Sequence, residues 1–127
     1  MARTDLTGTP IPEQTTAWYS GTLKDRAGAA IASASLTTLT ATLYAPGYTA
    51  GSNIVNSRSA QNVLNANNCT LHATSGLFEW EIQPADTTML TTESTAFHIL
   101  LLQWTSASVG NGKHEVLFLI QALEKIA

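Results

Sequence analysis

The sequence predicts an all-β chain folded as an antiparallel sandwich, and three observations carry that expectation. Apolar and polar residues alternate in several short segments, turn-forming residues separate those segments, and helical periodicity is almost absent. The clearest segment is 76–86, which encodes both a strand and its end. Phe78, Trp80 and Ile82 alternate with Glu79, Glu81 and Gln83, so one face is apolar and the other charged or amide. Pro84 then removes a ladder donor, and Asp86 is suited to accept from backbone amides two or three residues on. Thr87 to Leu90 allow one helical turn before the next strand.

Taken in order, residues 1–16 carry five threonines with Pro10 and Pro12 and hold no period, which predicts an extended arm ahead of a sandwich domain at 17–127. Ala17 to Lys24 form a first strand, and Asp25-Arg26-Ala27-Gly28 has the composition of a tight turn. Leu39, Ala41 and Leu43 alternate with Thr38, Thr40, Thr42 and Tyr44 in a second, longer strand. Pro46 to Ser52 read as a loop, Ile54-Val55 as a short edge strand, and Val63-Leu64 as the pin of a helical turn within the polar stretch 58–68. Thr70 to Ala73 and Leu77 to Gln83 form a hairpin around Thr74-Ser75-Gly76. Ala96 to Trp104 are apolar on both faces, which predicts a central strand or one covered twice. Gly110-Asn111-Gly112 turns the chain into a last strand, His114 to Leu123, antiparallel to it. The total is about seven to eight strands, a pattern that a small closed barrel shares.

Composition narrows the function. The 127 residues fit one domain, and charged residues make up only 12%, so polarity rests on hydroxyls and amides, with 19 threonines and 10 serines. The net charge is −3 and the six Lys and Arg stand singly, without the basic stripe that nucleic acid requires. No apolar run approaches the ~20 residues of a membrane span, and no secretory leader is visible. Cys69 is the only cysteine, which excludes an internal disulfide and a multi-cysteine zinc site. The sequon Asn68-Cys69-Thr70 reads as a polar loop entering a strand.

No residue pattern demands catalysis, metal or cofactor. His72, His98 and His114 fall in three different strands, and Glu115 beside His114 points to the opposite face. Glu79 and Glu81 share a strand face, a spacing open to paired-carboxylate chemistry but expected of a solvated surface. Cys69 has only His72 near it in sequence as a base, and a buried thiol is the simpler reading. Trp80 and Trp104 lie on apolar strand faces and belong to the core, whereas Trp18, Tyr19 and Tyr48 are candidates for a surface platform that stacks sugars.

Leu23 to Ile31, the strand 36–44, the stretch 56–67 and the segment 76–86 together resemble small virion proteins of tailed bacteriophages. The resemblance implies an immunoglobulin-like sandwich and a structural, non-enzymatic role in the virion, assembled in the host cytoplasm. It implies a capsid decoration or cement protein that binds the phage coat protein, or a neck, tail or baseplate component; a carbohydrate-binding module for host attachment is the reading from another class. The low-charge surface suits close contact with a protein lattice. Thr7, Pro10 and Pro12 on the arm, with Trp18, Tyr19 and Tyr48, are the expected interaction residues, the prolines lowering the entropic cost of ordering the arm on a neighbour.

Overall fold

A computed structural model describes residues 2–25, 27–90 and 95–122. Within them the chain is mostly β and forms two sheets in a sandwich-like arrangement. The strands are β1 (Ala2–Asp5), β2 (Ile11–Pro12), β3 (Ala17–Thr22), β4 (Thr38–Tyr44), β5 (Gln61–Asn62), β6 (Cys69–Leu71), β7 (Leu77–Ile82), β8 (Thr95–Thr105) and β9 (Gly112–Gln121). The larger sheet runs β1-β9-β8-β4-β5, with β2 also on β9; the smaller runs β3-β7-β6. Two separate strand orders exclude the single closed barrel.

The alternation seen in the sequence is the alternation of burial. Leu39, Ala41 and Leu43 of β4, Leu100, Leu102 and Trp104 of β8, and Val116, Phe118 and Ile120 of β9 point inward from the larger sheet. Tyr19 of β3, Phe78, Trp80 and Ile82 of β7, and Cys69 and Leu71 of β6 meet them from the smaller one. Trp80 and Phe118 join the two layers edge to face, their centroids 5.6 Å apart. Strand β8 is central, as expected, and its outer face is covered unevenly: Ile99 is buried there while Phe97 stands half-exposed.

Two glycines are fixed by close approach. Gly76 turns the β6–β7 hairpin at φ +71°, and a Cβ there would lie 2.9 Å from the backbone nitrogen of Ile31. At Gly112 a Cβ would stand 2.5 Å from the Trp104 ring, so the last turn must be bare for the indole to lie across it.

The first sixteen residues depart most from expectation. Their course is extended, but β1 and β2 lie parallel on β9, with Arg3 opposite Glu115 and Ile11 opposite Ile120. The segment is therefore the edge of the larger sheet rather than an arm free to reach a neighbour. The ladder amides, the inward Thr4–His114 hydrogen bond of 2.8 Å and the half-buried Leu6 and Ile11 hold it there. Smaller corrections follow the same logic. Val63 inserts into the core beside β5 and forms no helical turn, Ile54 makes one isolated bridge to Tyr44, and the helical turn after β7 begins at Pro84 and ends at Thr87. The expected turn residue Arg26 and strand end Leu123 lie outside the described residues.

The three histidines occupy unrelated places. His72 is exposed beside Glu79, at 2.8 Å, and His114 is half-buried against Thr4, its pKa lowered by burial against the pull of Glu115. His98 is fully buried: its Nδ1–H donates to the Asp86 carbonyl at 3.2 Å, Phe118 packs on its ring, and its Nε2 has no partner among the described residues. Desolvation pushes its pKa down to about 4, with the Asp86 carbonyl opposing.

Two outcomes are expected. Removing residues 1–16 strips β9 of its outer pairing, so the shortened chain should melt at a lower temperature and aggregate through the bared edge; unchanged melting would show that β1 and β2 add nothing to the sheet. Because the native state binds the His98 proton less readily than the unfolded chain, stability should fall as pH drops from about 6.5 to about 4, by roughly 3 kcal/mol from this residue. Urea unfolding of His98→Gln should lose most of that pH dependence, leaving the smaller share of His114, and an unaltered profile would refute the assignment.

Candidate functional site: two exposed faces and a buried ion pair

Among the described residues only two large hydrophobic side chains stand exposed, Trp18 at 70% and Phe97 at 51%. They lie on opposite outer faces of the sandwich, and each marks a surface with its own chemistry.

Around Phe97 the outer face of the larger sheet is apolar. Register places Leu119 opposite Phe97, Leu117 opposite Ile99, and Ile99 opposite Tyr44, with Leu101 next along β8. Burial and the nearby Glu115 carboxylate push the Tyr44 phenol pKa up. The rim is polar: threonines 38, 40 and 42, the exposed Lys113, and the Arg3–Glu115 ion pair. An apolar stripe with such a rim is the composition of a protein-binding surface. Beyond it, Thr38, Thr40, Gln103, Thr105 and Lys113 line a shallow, hydroxyl-rich hollow at the Gly112 turn.

On the other side, β3, β7 and β6 present two polar rows. Trp18 pairs with Glu81, and Ser20 and Thr70 flank Glu79 on either side. The loop before β6 closes one end, so Trp18, Asn65 to Asn68, Thr70, Glu79 and Glu81 line a groove of about 380 Å³. The sequence reading of Glu79 and Glu81 as one solvated face holds. That reading missed the groove, whose wall is made by a loop that sequence shows only as a run of asparagines.

Why that loop holds its shape is visible beneath it. Arg58 and Asp86 form a buried ion pair, 2% and 0% exposed. The guanidinium donates from Nε to Asp86 Oδ1 at 2.6 Å and from Nη2 to Oδ2 at 3.2 Å; its other bonds reach Gln61 Oε1, the Asn67 carbonyl and Asn68 Oδ1. Asp86 also accepts from Asn56 Nδ2 at 2.8 Å and from the Gln83 amide at 2.8 Å. That last bond runs back to the residue three before Asp86, where the sequence suggested amides further on. The loop's backbone needs residues that tolerate positive φ, and Asn65, Asn67 and Asn68 stand at +53°, +53° and +72°. Arg58 then pins Asn67 and Asn68, and the Asn68 carbonyl accepts from the Glu81 amide at 2.9 Å.

The sequence-derived candidates separate. Trp18 lies in the groove. Tyr19, one residue on, faces inward against Phe78 and is buried, and Tyr48 packs partly against the core, so the three do not form one aromatic platform. Thr7 and Pro10 sit in the loop between β1 and β2, where Thr7 donates twice to Asp5 and lowers its carboxyl pKa, and Pro12 is paired in β2. Cys69 is buried behind the groove; desolvation pushes its thiol up to about 12 despite the nearby Arg58 charge, which leaves it a poor nucleophile. No group of three or more His, Cys, Asp or Glu among the described residues is placed to hold a metal ion, and no helix there is long and apolar enough to cross a membrane.

Asp86→Asn leaves the Arg58 charge buried without its counter-ion and should lower the unfolding free energy by about 3–5 kcal/mol, whereas replacing both partners by apolar residues should cost less. Denaturant titration of the single and double variants decides it, and a single-variant loss below about 1 kcal/mol would remove the pair from its central place. Compared with protein-family models, with curated proteins and with solved structures, the chain shows no significant match.

Proposed function

We propose that the chain is a structural virion protein of a tailed bacteriophage, most simply a capsid decoration protein that binds and stabilises the coat lattice, acting by binding rather than by catalysis. The observation that carries this reading is the apolar outer face of the larger sheet, centred on the half-exposed Phe97 and continuous through Leu119, Leu117, Leu101, Ile99 and Tyr44. Ile99 is shielded by its neighbours, but Phe97 and the half-buried side chains around it remain in contact with water, and a protein lattice would bury them. The polar surroundings favour the same reading: threonine hydroxyls, one ion pair and the single lysine Lys113 are cheaper to desolvate than a densely charged surface.

The finer features belong to this proposal too. The immunoglobulin-like character of the sandwich rests on the resemblance of segments 23–31, 36–44, 56–67 and 76–86 to small virion proteins. Docking passes from the expected arm to the Phe97 face, because β1 and β2 are already paired to β9. A neck, tail or baseplate position would use the same face within a ring.

Quantitative mass spectrometry of purified particles should find this chain at a copy number comparable with the coat protein. A number matching a small ring would shift the position to neck or tail, and absence from particles would overturn the reading. Phe97→Glu should lower binding to particles by about tenfold or more while leaving the melting temperature nearly unchanged, since it desolvates a charge only on docking.

A further inference from the structure

We propose that the Trp18 groove is a saccharide-binding site, facing away from the surface used for docking. The indole stands on an edge strand, 70% exposed, and lines the groove on the outer face of the smaller sheet. An aromatic face of this kind takes up the C–H face of a pyranose ring, an apolar patch framed by hydroxyls. The cross-strand rows then set hydrogen-bonding groups beside the ring at strand spacing: Asn68, Glu81 and Trp18 in one row, Thr70, Glu79 and Ser20 in the next.

The unspent groups choose the ligand class. Among the described residues the Glu81 carboxylate has no hydrogen-bond partner, and Glu79 uses one oxygen on His72 and keeps the other. Asn68 accepts from Arg58 with its amide oxygen, which leaves its NH2 as the donor for a ligand. With the Trp18 N–H and the Thr70 hydroxyl, the groove offers donors and acceptors together. Vicinal sugar hydroxyls, each both donor and acceptor, satisfy such a set. A lysine or arginine side chain, which only donates, would leave the Asn68 NH2 and the Trp18 N–H without acceptors. The volume, about 380 Å³, suits one or two sugar rings. Its wall is held by the Arg58–Asp86 pair, so little ordering is needed on binding.

The inference uses the proposed docking only for orientation; sugar binding itself is a property of the isolated chain and is tested there. The purified full chain is applied to an array of bacterial surface oligosaccharides, and the best oligosaccharide is titrated by calorimetry at low and at roughly 1 M salt. Specific array signal, an affinity that salt barely changes, and a loss of about tenfold or more in Trp18→Ala would establish the site. Phe97→Glu should bind the same oligosaccharide as well as the parent does, separating this site from the docking face. Circular dichroism confirms that Trp18→Ala, a change at an exposed position, remains folded. Array signal at background, equal binding by Trp18→Ala, or capture of lysine- and arginine-rich peptides in place of sugars, abolished by salt, would each overturn it.

Discussion

The ion pair between Arg58 and Asp86 holds the organisation of this sandwich together. Burying two charges is expensive, and the cost is offset here because the five guanidinium bonds and the four acceptances by the carboxylate leave neither group short of partners. The pair ties the irregular segment after β4 to the turn between β7 and β8, two regions that no ladder connects. Beyond the two residues of β5, which pair with β4, the sheets supply little reason for the 56–68 segment to adopt one shape, and six of its residues sit at positive φ. The charge network supplies that reason, and through Asn67 and Asn68 it passes the shape on to the rim of the Trp18 groove.

Where the fold was legible, the cause was length and periodicity. Strands β4 and β7 alternate over six or more residues, so a one-residue slip in either would turn its apolar set outward, while β8 and β9 were legible as long apolar runs. Strands β1 and β2 were illegible because their pairing is parallel and their partner is remote; nothing local in a threonine- and proline-rich stretch announces β9 as a neighbour. The network was equally hidden. Asp86 was visible as a terminus-capping acid, but Arg58 read as one of six scattered cations, and only the fold sets them together.

The functional surfaces were half-legible for a related reason. Trp18 and Tyr19 look equivalent in sequence, yet strand alternation sends one to solvent and the other into the core. The second apolar face of β8 was seen as a fact of composition, without a sign of whether protein or water would cover it. With Phe97 on one outer face and Trp18 on the other, the molecule has two sides of different character: one apolar and edged by hydroxyls, the other acidic, amide-rich and grooved. Between them the core hides the groups that chemistry might have used, a neutral imidazole at His98 and a protonated thiol at Cys69.

The parallel placement of β1 beside β9 also decides how the molecule bears load. Tension applied near residues 2 and 122 pulls the two strands past one another along their length, so the rungs from Ala2–His114 to Asp5–Leu117 are strained together rather than opened one after another. A hairpin pulled from its open end unzips at low force, whereas a parallel clamp yields only when several hydrogen bonds fail at once. The stretch at the start of the chain would thus meet such a pull in shear, where the sequence shows only an unpatterned tail.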